Sequence, residues 1–285
     1  MAQTAAIGGE GRKARRDGSL GYLVPAFLLI VIFFIVPVLM LLMRSVLEPE
    51  PGLQNYATLL GSTTYLRVFL NTFIVAGVVT AISIIVGYPV AWLLAIMPER
   101  WSRLVLAIVI LSMWTNLLAR TYAWMVLLQR TGVINKTLIG LGLIDTPLPL
   151  VNNLVGVTIG MTYIMLPFVI LPLMGVIRSI DPAILRAAAL CGATRLQCFI
   201  RVLLPLSLPG IAAGALMVFV MSLGYFVTPA LLGGTSNMML AELVAQFVQS
   251  LVNWGMGGAA ALVLLVVTLA LYAVQLRYFN PNRGA

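Results

Sequence analysis

The chain has 285 residues, 61% of them hydrophobic and 9% charged, with a mean hydropathy of +1.07. Soluble domains carry about a quarter of their residues as charges, so the composition excludes a water-soluble globular protein and makes the bilayer the solvent. The formal charge is +9 and there is no histidine, which removes the commonest general base and transition-metal ligand; the arginines sit at the edges of apolar runs, where membrane topology accounts for them better than nucleic acid does.

Residues 1–20 form a basic segment with Arg12, Lys13, Arg15 and Arg16, expected to be disordered. The apolar run 22–43 follows. It is too long for the apolar region of a cleaved signal peptide and reads as an uncleaved first membrane helix. Five further runs are long enough to span: 68–97 with Pro89 near its inner end, 104–128, 154–177 with Pro167 and Pro172, 206–229 and 257–276. The predicted fold is an all-α membrane protein of six transmembrane helices within residues 21–278, followed by a short tail, 279–285.

Lys and Arg set the orientation. One set of connections holds Arg12, Lys13, Arg15, Arg16, Arg100, Arg103, Arg178, Arg186, Arg195, Arg201, Arg277 and Arg283. The opposite set holds Arg44, Arg67, Arg130 and Lys136, with Arg120 close to it. Both termini are therefore expected to be cytoplasmic, with outer segments 44–67, 129–153 and 230–256. In the last of these, Ser236 or Asn237 is placed to cap a helix of about 15 residues, too short to span. Leu240, Leu243, Val244, Phe247, Val248 and Leu251 fall on one face of it. Gly233-Gly234 before it and Gly255, Gly257 and Gly258 after it read as turns.

The connection between the fourth and fifth runs, about 178–204, carries the most local information. Asp181-Pro182 is a helix start, because Asp caps free N–H groups and Pro suits the first helical position. Residues 183–190 favour helix, and Gly192 can take the left-handed conformation that ends one. Thr194 and Gln197 form a capping box for a second short helix, and Pro205 marks the entry of the fifth span. Ala187, Ala188 and Ala189 keep the first helix thin, so another backbone could approach closely. Two readings follow, a plug for a groove in a cytoplasmic partner or an ordinary interfacial loop. The cysteines of the chain, Cys191 and Cys198, lie here. In a reducing compartment they read as two small buried hydrophobes on a docking face rather than a disulfide.

The segment from Arg186 to Pro205 resembles the cytoplasmic signature of bacterial ABC importer permeases, E-A-A, three residues, G, nine residues, I-x-L-P. Ala187, Ala188, Gly192, Val202, Leu204 and Pro205 fit at the expected spacing, with Val for Ile, and Ala193 and Thr194 follow the glycine. Further stretches are similar to the same family: Asn71-Thr72, the run from Arg120 to Trp124, the run from Gly132 to Asn135, Leu166-Pro167-Phe168, and the run from Ser222 to Gly234. Together they resemble the polyamine (spermidine/putrescine) branch. The resemblance implies a type I importer permease fold, with a coupling loop between helices 4 and 5 that inserts into an ATPase cleft. It also implies residence in the bacterial inner membrane, cytoplasmic ATPase subunits, a second and different permease subunit, and an extracytoplasmic solute-binding protein. The substrate implied is a polyamine; relatives of that branch carry other small solutes, among them amino-acid derivatives, opines and thiamine-like compounds. Where the family has Glu, this chain has Arg186. That inverts a charge at the docking surface and implies a partner with a matching acidic one.

No phosphate-binding G-x-x-x-x-G-K-S/T loop occurs. The chain is thus expected to be no enzyme and to hold no cofactor or metal, with ATP and Mg bound by the partner ATPase. Alternating access is the expected mechanism. Pro167 and Pro172 either hinge the fourth helix or are static kinks. Arg120 lies about 25 Å along the third span from Arg103; it reads as a gate or path residue, or as a side chain snorkelling to the outer interface. Tyr163, Tyr225 and Phe226 offer cation–π faces or simple packing, and Glu242 is the acidic candidate for a cationic solute. A secondary transporter is the rival function, and the scarcity of intramembrane acids and the lack of His argue against it.

Overall fold

The computed structural model describes residues 19–234 and 237–278. The expectations for residues 1–18 and 279–285, including the basic N-terminal segment and the tail, and the capping role of Ser236, lie outside the described residues. Every regular element among the described residues is helical. In chain order they are α1 Ser19–Ile30, α2 Val36–Leu47, α3 Gln54–Gly61, α4 Thr63–Ile96, α5 Glu99–Trp114, α6 Leu117–Leu128, α7 Val133–Gly140, α8 Leu154–Ser179, α9 Pro182–Leu190, α10 Arg195–Cys198, α11 Leu204–Leu223, α12 Val227–Leu232, α13 Leu240–Ala245 and α14 Trp254–Tyr278.

Five helical stretches are long and apolar enough to cross a membrane: Val24–Leu47, Thr63–Ile96, Leu154–Ser179, Arg195–Leu223 and Trp254–Ala273. The third predicted span differs. It is α5, Glu99–Trp114, and a helical stretch, Leu117–Gly140, made of α6 and α7, and the two meet at 97°. Thr115 and Asn116 break it, and Asn116 caps α6 by accepting from the Leu118 and Ala119 N–H groups at 2.8 and 3.3 Å. An unbroken apolar pattern hid the break, because a capping Asn inside it looks like any polar residue within a span. The 25 Å separation along one straight helix expected between Arg103 and Arg120 is therefore not present.

The fifth span also differs. It begins at Arg195 and ends at Leu223, so the second loop helix and the membrane helix are one rod with no stop at Pro205. A π-helical turn, Phe199–Leu203, lies just ahead of that proline. Proline lacks an N–H and crowds the carbonyl four residues back; a widened turn relieves both. The first span repeats the device, with a π-helical turn at Val31–Ile35 ahead of Pro37. Pro89, Pro167 and Pro172 instead lie within unbroken helices.

The centre of the bundle is α8. It packs against α4 and α11 around Val75, Val79, Met161, Met165, Val169, Leu173 and Val218. A second cluster gathers Leu59, Val68, Leu240, Leu243, Phe247 and Met256 around α13. The apolar face predicted for the outer helix is thus formed by Leu240, Leu243 and Phe247. The residue at its N-cap position is Met239, which gives no side-chain cap. Asn237 donates to the Gly233 carbonyl at 3.0 Å, and the Leu240 N–H goes instead to the Thr72 hydroxyl of α4 at 2.8 Å. The helix is also shorter than expected, passing at Ala245 into a π-helical turn, Gln246–Ser250.

Gly255, Gly257 and Gly258 do not form the predicted turn. They lie in the first turns of α14, and the reversal before them is made by Val252, at φ 50°. Gly258 lets α14 approach α2: a Cβ there would sit 2.4 Å from the Leu41 carbonyl oxygen. Between apolar helices in lipid there is no hydrophobic drive, and close backbone packing at small residues supplies the contact instead. Gly258→Val is expected to pry α2 from α14 and to destabilise the protein by about 1–3 kcal/mol. Thermal unfolding in detergent, followed by loss of the monodisperse peak, checks it; an unchanged midpoint would show that the two helices are not held by this approach.

Candidate functional site

The loop between α8 and α11 is built by its caps. The Asp181 carboxylate accepts from the Ala183 N–H at 2.8 Å and Pro182 opens α9. At the other end Gly192 has φ 85°. Its N–H donates to the Ala189 carbonyl at 3.0 Å, and that of Ala193 to Ala188 at 3.1 Å. This pair of bonds satisfies the last carbonyls of the helix and needs a left-handed residue between them. Thr194 and Gln197 then exchange bonds: the Thr194 N–H reaches the Gln197 amide oxygen at 2.8 Å and the Gln197 N–H the Thr194 hydroxyl at 3.3 Å. Four local signals thus shape the backbone of the helix–turn–helix through bonds made within the loop.

Its outer surface is open. Arg186, Ala187, Arg195 and Arg201 are exposed, α9 buries no residue, and Leu190 and Leu196 are 90% and 66% exposed. Cys191 is also exposed, against the expectation of burial, while Cys198 is partly covered. The inner surface is seated. Phe199 meets Trp92 at 5.9 Å and Tyr88 edge-on at 5.6 Å, and the Tyr88 hydroxyl meets that of Ser207 at 3.0 Å. Leu203 is buried, with Val202 and Leu204 half-buried and Pro205 exposed beside it. Sequence reasoning missed Tyr88, Trp92 and Phe199, because aromatic residues in an apolar run give no signal of which neighbour they meet.

A further group stands at the root of the loop. The Arg178 guanidinium, in the last turn of α8, donates to the Leu94 carbonyl at 3.2 Å and to the Ser102 hydroxyl at 2.5 Å. The Ser102 hydroxyl donates in turn to the same carbonyl at 2.7 Å. Ser102 had no sequence signal at all.

The candidate path residues separate into groups. Arg120, on α6, has its Nε buried without a hydrogen-bond partner, and its charge acts on Tyr225. Burial pushes the Tyr225 phenol up, against the opposing pull of its hydrogen bond with Thr228 and of Arg120. Thr228 and Thr121 approach at 3.3 Å, tying α12 to α6. Tyr163 meets Trp124 at 5.5 Å with the ring planes tilted by 58°. Phe226 points elsewhere, into a cavity of about 480 Å³ shared with Val38, Leu41, Ala241 and Val244. Glu242, on α13, has one carboxylate oxygen buried without a partner. Burial raises its pKa, opposed by a bond from the Met239 N–H.

A group with a raised carboxylate pKa binds its proton more tightly when folded, so its burden on stability is absent at low pH and grows as pH rises through the folded value. Glu242→Gln keeps the acceptor for Met239 and removes the charge. It is expected to raise the thermal midpoint at neutral pH, by an amount that shrinks as pH falls through the carboxylate range. Melting curves of both forms against pH check this; a constant difference across pH would refute the buried charge as the cause.

The sequence pattern of the family described as binding-protein-dependent transport system inner membrane component matches residues 87–283. The chain is 35% identical over 246 residues to the spermidine/putrescine transport system permease protein PotB of Salmonella typhimurium, covering 84% of this chain and 85% of the relative. It is 34% identical over 263 residues to the protein of the same name in Haemophilus influenzae, covering 89% and 90%. Among solved structures, a chain of a bacterial alginate ABC transporter, in complex with its alginate pentasaccharide-bound periplasmic protein, superposes with a TM-score of 0.72 at 21% identity, covering 92% of this chain and 96% of that one.

Proposed function

The chain belongs to the family of binding-protein-dependent transport system inner membrane components, and from that premise we propose that it carries a polyamine such as spermidine or putrescine across the inner membrane. It is a multi-pass permease subunit of an ABC importer and not an enzyme; ATP hydrolysis belongs to a separate subunit, and solute is delivered by a binding protein. The relatives named for spermidine and putrescine support the substrate.

In this reading the termini and the loop from Arg178 to Leu204 face the cytoplasm, a second and different permease subunit completes the path, and ATP and Mg are bound by the ATPase partner. The observation that carries the mechanism is the capped, outward-facing helix–turn–helix around Gly192, joined without a break to the membrane helix that ends at Leu223. ATPase closure moves α9; the continuous rod from Arg195 delivers that movement across the bilayer and alternates the access of the path.

The path offers little to hold a cation. Tyr163 and Tyr225 present aromatic faces while Phe226 faces a separate cavity, Glu242 presents one buried oxygen, and the positive charge of Arg120 acts on Tyr225. A polyamine therefore passes a weak, transient site, and selectivity resides in the binding protein. The same arginine favours a second reading, the same machinery carrying a less cationic small solute. Reconstituted with its partner subunits, the importer is expected to take up labelled spermidine only with ATP, and excess putrescine is expected to suppress that uptake. Uptake of the physiological solute that persists in excess spermidine would remove the polyamine assignment.

A further inference from the structure

The geometry points to Arg178 as a positioning residue that carries the movement of the coupling loop into helix α5, with Ser102 as its receiver. This rests on the importer reading above and goes beyond it in naming a second route of transmission, separate from the rod that begins at Arg195.

Three helix ends converge here. The last intrahelical bond of α4 runs from the Met97 N–H to the Leu93 carbonyl at 3.0 Å. The Leu94 carbonyl beyond it is one of the orphan acceptors that a helix C-terminus leaves, and it is buried. Ser102, in the first turns of α5, and Arg178, in the last turn of α8, both donate to it. Arg178 also donates to Ser102, so three helices share one closed triangle of hydrogen bonds. The cation sits at the negative ends of α4 and of its own helix, where the dipoles favour it. Both bonds leave the same terminal nitrogen, Nη2, which the planar guanidinium fixes at a reach that the shorter, one-nitrogen lysine side chain does not have.

What makes the triangle a transmitter is how little else holds α5. Among the described residues Ser102 is the one that α5 buries fully, and Val105 and Leu106 pack only partly. Trp101, Leu104, Ile108, Leu111 and Trp114 are exposed. On the other side, only Ile180 and Asp181 separate α8 from α9, so a displacement of α9 reaches Arg178 within one turn. Beyond the triangle α5 leads to the 97° break and α6, which carries Arg120 and the Thr121 contact to α12. Pulling the loop thus moves the cytoplasmic end of a helix that this chain itself holds loosely and whose far end leads, through the break, into α6 and Arg120.

The test uses the complete importer in proteoliposomes, with solute uptake and ATP hydrolysis read from the same vesicles, for wild type, Ser102→Ala, Arg178→Lys, the double variant and Ser102→Thr. The subunits of Ser102→Ala and Arg178→Lys are expected to co-purify and to hydrolyse ATP within about twofold of wild type, while uptake per ATP falls roughly tenfold, the factor corresponding to one lost charged hydrogen bond. Because the residues act as one unit, the double variant is expected to be no worse than the more severe single one, and Ser102→Thr, which keeps the hydroxyl, to restore coupling. If Arg178→Lys does not assemble, Ser102→Ala carries the test alone. Uptake per ATP that stays at the wild-type value, or uptake and hydrolysis that in Ser102→Ala fall together as subunits are lost, would overturn the assignment. Wild-type vesicles with no ATP-dependent uptake would remove the importer reading and the clamp's role with it; coupled wild type beside coupled variants would remove the clamp alone.

Discussion

Every backbone polar group that a bilayer surrounds must find its partner inside the protein, and the way this chain meets that demand at its interrupted helices determines the rest of its architecture. An uninterrupted helix satisfies itself. A helix that stops leaves free N–H or carbonyl groups, and side chains meet several such ends here, three of them at breaks in or beside the spans. Asn116 closes the start of α6 locally. Thr72 reaches from α4 to the first N–H of α13. Arg178 and Ser102 meet the carbonyl at the end of α4. Two of these three bind elements far apart in sequence, so the groups that complete the backbone also tie the helices together.

That economy explains the division of labour. The loop around Gly192 satisfies its own backbone through Asp181, Thr194 and the left-handed glycine, so only its inner side needs the bundle and its outer side is a preformed, exposed element. A loop ordered only by its partner would lose part of the binding energy to ordering. The same loop is joined to the membrane at both ends by short, stiff connections: two residues into α8 and none into α11. A preformed head on stiff stems suits an element that transmits force.

The sequence made the loop legible and the tertiary contacts opaque for one reason. Asp181-Pro182, Gly192 and Thr194 with Gln197 act on neighbours within a few residues, and their chemistry can be read from their spacing. Thr72 and Ser102 act on groups 168 and 8 residues away, and nothing near them in sequence marks the partner. Hydropathy located the spans but could not see the break at Asn116, because a single polar residue in an apolar run is compatible with a span or a cap. The glycines before α14 read as a turn because glycine serves turns and close approaches alike, and only the neighbouring backbone of Leu41 tells them apart. Among the candidate path residues, the influence of the Arg120 charge on Tyr225 depends on a tertiary arrangement that periodicity does not reveal.

The central claim is that the loop around Gly192 is the handle by which an ATPase drives this permease. It is tested most directly by capture of the full chain from mildly solubilised membranes, wild type beside Gly192→Pro, since proline cannot take a φ of 85°. An ATPase with a phosphate-binding loop, retained by wild type and lost by a variant that still inserts and folds, is the predicted result. A wild type that brings down no ATPase in several mild detergents, or a folded variant that retains it in full, would contradict the account.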